Sequence, residues 1–139
     1  MQLNRSTDYA IQMLVYLAKA GKTVSSSKLA AAIDVSHRYL LQISAKLRAA
    51  GFIRVAHGSA GGMILLKPSE EICLYEVIIG MEGIIRTGDI CGIPSDEVSK
   101  EMLMLKNEYR KVDCMLERSL KEITLARIME VDKKTNFSQ

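Results

Sequence analysis

The sequence predicts a mainly α-helical chain that carries one small β-hairpin and ends in a long helix. Three observations lead there. Apolar residues recur at helical spacing through most of the 139 residues. A single glycine-rich stretch, RVAHGSAGGMILLKP from Arg54 to Pro68, lies between two short apolar or β-branched runs. Near the C-terminal end, Val98, Met102, Leu105, Tyr109, Val112 and Leu116 follow alternating steps of four and three. With 48% hydrophobic and 25% charged residues, the chain can form one compact domain, or a small domain plus an oligomerisation element.

The first helix is marked by Tyr9, Met13, Tyr16 and Leu17 on one face, with Ser6 or Thr7 as its cap and Gly21 as its stop. The stretch TVSSSKLAAAIDVSHRYLLQISAKLRAAGFI then reads as two helices joined by a tight turn. Ser25 or Ser26 caps the first, Asp34 and Val35 break the periodicity, and Ser36 caps a second helix that reaches Ala50 before Gly51. Leu40, Ile43 and Leu47 form the core face of that second helix. His37, Arg38, Gln42 and Lys46 lie opposite, with Tyr39 at the boundary.

Helix, short turn, helix is the geometry that lays its second helix in a DNA major groove. The exposed residue types suit that role. Arg38 can donate two hydrogen bonds to guanine, Gln42 can pair with adenine, and Lys46 suits a phosphate. A helical hairpin with a merely solvated basic face has the same pattern. The β-hairpin that follows favours the first reading. Phe52–Ala56 and Met63–Leu66 pair as strands, HGSAGG is the tip and Pro68 closes the second strand. A ribbon placed directly after a reading helix makes a winged helix-turn-helix, whose tip reaches a minor groove or a phosphate with His57 and Ser59. Gly58, Gly61 and Gly62 suit positive φ angles or a close backbone approach to the sugar-phosphate chain. A nucleotide-binding loop would need a Gly-Lys-Ser or Gly-Lys-Thr after these glycines and a long helix starting there, and neither follows this stretch.

SEEICLYEVIIGMEG makes a short amphipathic helix ending at Gly83, and IRTGDICGIPS is a loop. One long helix is expected from Asp96 to about Glu130. Its narrow stripe, continued by Leu120 and Ile123 after a one-residue drift, seeks a partner helix. A second apolar patch, Leu103, Met104 and Met115, is available to pack on the chain's own domain. A twofold dimer would place two reading helices about 34 to 36 Å apart and match a palindromic site.

Charge divides along the chain in the same sense. Met1–Lys67 holds nine Lys and Arg against two Asp and Glu, a net +7, and Pro68–Gln139 holds ten against fourteen, a net −4. A polyanion-facing N-terminal part is implied. Arg5 and Asp8 interrupt any signal-peptide layout and no apolar run is long enough for a membrane span, so a cytoplasmic protein is expected with no membrane partner. Both histidines lie on the DNA face, and no nucleophile, base and orienting group recur at a motif spacing, so an enzyme is not expected. A different class stays open, a helical interaction module that docks a protein partner, with DNA binding weak or lost.

TDYAIQMLVYLA, VSHRYLLQISAKLRAAGFI and HGSAGGMILLKPSEEICLYEVIIGMEG together resemble the Rrf-two family of bacterial winged-helix regulators, and the resemblance covers most of the chain. The family includes the iron-sulfur cluster regulator, the nitrite-sensitive repressor and the cysteine-metabolism repressor. The resemblance implies a homodimeric DNA-binding repressor that senses iron, nitric oxide, redox state or thiol metabolites. It also implies an organisation into a winged domain (1–83), a sensor-type loop (84–95), a dimerisation helix (96–130) and a flexible tail (131–139). DNA contact is then expected from Ser26, Ser27, Ser36, His37, Arg38, Tyr39, Gln42, Lys46, His57 and Ser59.

The chain departs from the family at two places. His57 stands where the family usually has Arg before the first wing glycine, which replaces a fixed cation by a titratable ring. Cluster-binding relatives carry three closely spaced cysteines in the loop, whereas here Cys91 alone lies there. Cys114 is 23 positions further on, and Cys73 precedes the loop. An iron-sulfur cluster needs several thiolates or substitutes converging on one centre. No cofactor and no metal site is therefore the expectation. Asp8, Cys91 and Cys114 remain the residues for an atypical site, Cys91 alone for a reactive thiol, and an inert Cys91 is the plain reading.

Overall fold

The computed structural model describes residues 2–130. The chain runs α1 (Arg5–Ala20), α2 (Ser26–Ala32), α3 (His37–Ala49), β1 (Ile53–Ala56), β2 (Gly62–Leu65), α4 (Leu74–Glu82) and α5 (Lys100–Glu122), with short 3-10 turns at Ser69–Glu71, Asp89–Gly92 and Ser95–Glu97. The architecture is mainly α with one two-stranded antiparallel hairpin, as the periodicity predicts.

Helix α1 is capped two or three residues before its candidate caps. Asn4 is the extended N-cap residue, and its carbonyl accepts from Thr7 N at 3.0 Å. Ser6 and Thr7 therefore lie inside the helix, and Thr7 is fully buried. Gly21, at φ 64°, stops α1 as expected. Of the two serines offered for α2, Ser25 caps it by accepting from Lys28 N at 3.2 Å. The turn into α3 needs one left-handed residue, and Asp34 supplies it at φ 56°, a conformation a short polar side chain tolerates. Ser36 then caps α3 by accepting from Tyr39 N at 3.1 Å.

Strands β1 and β2 pair in the register Ile53↔Leu65 to Ala56↔Gly62. The hairpin does not stand alone. Val24, between α1 and α2, exchanges backbone hydrogen bonds with Met63 at 2.9 and 2.8 Å, which ties the base of the wing to the start of the helix-turn-helix. Met13 and Leu14 of α1, Leu29 of α2, Leu40, Ile43 and Leu47 of α3, Ile53 and Met63 of the hairpin, and Val77 of α4 are buried together in one core.

The long helix differs from expectation at both ends. Asp96 and Glu97 form a 3-10 turn, and α5 starts at Lys100, after Ser99 caps it by accepting from Met102 N at 3.2 Å. It stops at Glu122, where Ile123 turns extended (φ −96°, ψ 103°). The stop is tertiary: Ile123 O accepts from Leu74 N at 2.8 Å, and Leu125 N donates to Ile72 O at 2.9 Å. Leu125 thereby enters the core of the winged domain at 0% exposure, and the chain resumes helix through Glu130. The expected tail, 131–139, lies outside the described residues.

The faces of α5 also sort differently from the sequence reading. Lys106, Tyr109, Asp113 and Leu116 lie against the loop and α4, and Lys121 sits 5.0 Å from the centroid of the Tyr75 ring. Met104 and Met115 are exposed rather than packed on their own domain, and with Met102, Leu105 and Val112 they leave an apolar stripe open. Leu116 and Tyr109, placed on the seam, are half-buried against their own chain.

Candidate nucleic-acid interface

The exposed side of α3 and the tip of the hairpin are neighbours. Ser25, Ser26, Leu41, His57, Ser59 and Gly61 line one cleft between the start of α2, α3 and the wing. His37, Arg38, Gln42 and Lys46 are exposed on α3, Ser27 is exposed on α2, and His57 and Ser59 are exposed at the tip. Leu40, Ile43 and Leu47 satisfy the core face of α3, which leaves Arg38, Gln42 and Lys46 outside its packing.

Four of the expected residues, Ser26, His37, Ser36 and Tyr39, have structural partners. Ser26 Oγ lies 2.7 Å from His37 Nε2, so the first residues of α2 and α3 are joined side chain to side chain. Ser36 uses its oxygen as the α3 cap. Tyr39 is half-buried, with its ring edge-on to Tyr9 of α1 at 5.8 Å and 89°. Tyr39 thus anchors α3 to α1 in addition to bordering the surface, where Ser6, Gln42 and Lys46 share a small pocket with it.

One residue that the sequence reading passed over is Leu41, which is 44% exposed in the middle of the α3 surface. The signal was available: Leu41 lies outside the 40, 43, 47 stripe, and an apolar side chain there suits the methyl group of thymine. Arg54 on β1 is likewise exposed.

The wing glycines divide into two kinds. Gly62, at φ 151°, packs its α-carbon against the Val24 carbonyl, and any Cβ there would collide with that oxygen. Gly61 is closed in by the Ala56 carbonyl, and its N–H donates to Gly58 O at 3.0 Å. Their smallness serves the hairpin itself. Gly58, at φ 101°, has open space where a Cβ would stand. It is the tip glycine available for an external approach.

A sequence model of the family described as "Rrf2: Iron-dependent Transcriptional regulator" matches residues 3–131. The chain belongs to the Rrf2 family. It is thus a member of a family of winged-helix transcription regulators, and the fold agrees with solved members. The T. potens IscR structure is 26% identical, covering 97% of this chain and 90% of that one with a TM-score of 0.76. The structure of CymR (YrzC), the global cysteine regulator of B. subtilis, is 21% identical, covers 94% and 98% of the two chains, and has a TM-score of 0.76, a likeness of fold. Among curated sequences, Protein aau3 of Rhizobium meliloti (strain 1021) is 37% identical over 79 residues, 56% of this chain. The chain spans about half the length of that relative, 51%.

The description of the Rrf2 family implies iron, and the residues of this chain can be tested for it. Cys91 is half-buried in the Asp89–Gly92 turn, Cys114 is exposed on α5, Cys73 is buried before α4, and Asp8 is exposed on α1. Among the described residues, no three His, Cys, Asp or Glu side chains gather where they could hold a metal ion. Iron-sulfur centres are held by converging thiolates, and one loop thiol does not supply that set. The donor set of this Rrf2 chain does not fit the group.

No described helix is long and apolar enough to cross a membrane.

Proposed function

We propose that this Rrf2 regulator binds duplex DNA as a homodimer, reads a palindromic operator with α3, and represses in the cytoplasm by occupying that operator. The observation that carries the proposal is the division of α3. Leu40, Ile43 and Leu47 are at most 2% exposed, while Arg38, Gln42 and Lys46 are exposed on the opposite face and His37 is exposed at its start, joined to Ser26. Arg38 and Gln42 have the donors and acceptors that base edges require, with Leu41 between them for a thymine methyl. Lys46, Ser27, Ser59 and His57 suit phosphate and groove contacts. Ser26 and Ser36 act mainly by fixing the helix starts.

Dimerisation is supported by the open stripe on α5, since Met102, Met104, Leu105, Val112 and Met115 place five large apolar side chains in solvent on one helix. A second copy covers them.

The test is a pair of variants on a selected operator. Arg38→Ala should cost about 1–3 kcal/mol and relax base preference at one position per half-site. Lys46→Ala should weaken all sequences alike and reduce the salt slope by about one unit. Parent-like binding by both variants overturns the placement of the reading helix. Random duplex titrated at two salt concentrations separates this reading from a protein-docking module, because a DNA regulator must lose affinity steeply as salt rises.

A further inference from the structure

We infer that the loop joining α4 to α5 is locked by Lys106 and Asp113 of α5, and that the regulator engages DNA with this protein-only latch in place and without iron. The DNA half of the inference rests on the function proposed above. The latch half does not.

Four contacts fix the loop. Thr87 donates to Asp113 Oδ1 twice, from its backbone N at 2.8 Å and from its hydroxyl. The Lys106 ammonium donates to the Ile93 carbonyl and to Ser95 Oγ, the latter at 3.3 Å. The Tyr109 ring lies so close to Gly88 that a Cβ there would stand 2.8 Å from Cε2. The Arg86 guanidinium lies against Gly92, so that a Cβ there would require that side chain to move. Ile90, between these points, is 7% exposed.

Lys106 decides the matter. It is 3% exposed, the one charged residue buried among those described, and its hydrogen-bond acceptors belong to the loop. A buried ammonium is tolerated only when its protons are accepted. If the loop leaves, Lys106 gives up both acceptors and its ammonium passes to water, so these bonds hold the loop to this stretch of α5. Cys91 is half-buried in this loop with no second thiol there, where metal-binding chemistry would need several. The side chains of α5 thus bring the loop to the helix.

Two measurements on the full chain test this. In the first, protein prepared anaerobically is treated with ferrous iron, sulfide and dithiothreitol, desalted, assayed for bound iron, and compared with chelator-treated protein in DNA titrations. Expected are less than about one iron per ten chains and DNA affinities equal within about twofold. Stoichiometric iron with a DNA affinity changed more than about fivefold overturns the inference. In the second, amide exchange across residues 86–95 is followed in parent, Lys106→Met and Thr87→Val. Expected is exchange at least about tenfold faster in the loop of both variants, with α3 unchanged. Parent-like loop exchange in both variants overturns the latch. Thr87→Val leaves Lys106 intact, so it keeps the test decisive if Lys106→Met fails to fold. A parent protein that binds no DNA in either state sinks the proposed function and the DNA half, while the exchange result still judges the latch.

Discussion

Glycine at position 62 and glycine at position 58 look alike in the sequence and do opposite jobs. Gly62 has to be bare because the Val24 carbonyl occupies the place of a side chain. Gly62→Ala should therefore lower stability by about 2–4 kcal/mol, from strain at φ 151° and a backbone collision, read as a lower urea midpoint. Gly58→Ala meets open space, and its cost is about 1 kcal/mol of left-handed strain. If the two variants unfold at the same midpoint, the Val24–Met63 bridge is misplaced. Leu41 offers a second residue-scale test: at 44% exposure, Leu41→Glu should leave the urea midpoint within about 0.5 kcal/mol while weakening DNA binding by about tenfold or more, because a carboxylate faces the polyanion. What the sequence disclosed at this scale was the exposed set on α3, since period 3.6 separates it from Leu40, Ile43 and Leu47. The Ser26–His37 bond and the Tyr9–Tyr39 packing join residues on different helices, and no local pattern announces them.

At the scale of elements, α1 to α4 and the hairpin were legible because each ends on a local signal: Gly21, the Ser25 and Ser36 caps, Gly51, Pro68 and Gly83. The end of α5 was not. No glycine or proline marks Glu122. The helix is cut by pairing with Ile72–Leu74, 50 residues earlier, and a non-local bond leaves no trace in a window of periodicity. The consequence is measurable. On a free dimerisation helix Leu125→Ala would be nearly silent, but here Leu125 is fully buried in the winged core, so the substitution should cost about 2–5 kcal/mol in urea unfolding. A midpoint equal to the parent's would mean that the segment after α5 does not belong to the core.

For the whole molecule, the uneven charge of the chain matches a division of labour: an N-terminal half at net +7 that carries the proposed DNA face, and a C-terminal half at net −4 that carries α5. The apolar stripe on α5 supports a dimer, and Val112→Glu together with Met104→Glu places four like charges where two stripes meet. The double variant should sediment as a monomer, retain its helical circular dichroism, and lose about a hundredfold in operator affinity as the two half-sites cease to be held together. A dimeric double variant would show that another surface joins the copies.

The re-entry of the chain at Leu125 has one more consequence. Helix α5 is clamped at its start through Lys106 and at its finish through Ile123, so it resembles a girder bolted at both ends more than an arm on a swivel. In the proposed dimer such a girder gives the two reading heads a fixed gauge. One added base pair between half-sites asks for about 3.4 Å of travel and about 35° of rotation that the frame does not have. Operators should accordingly be intolerant of spacer length, even where each half-site is a perfect match.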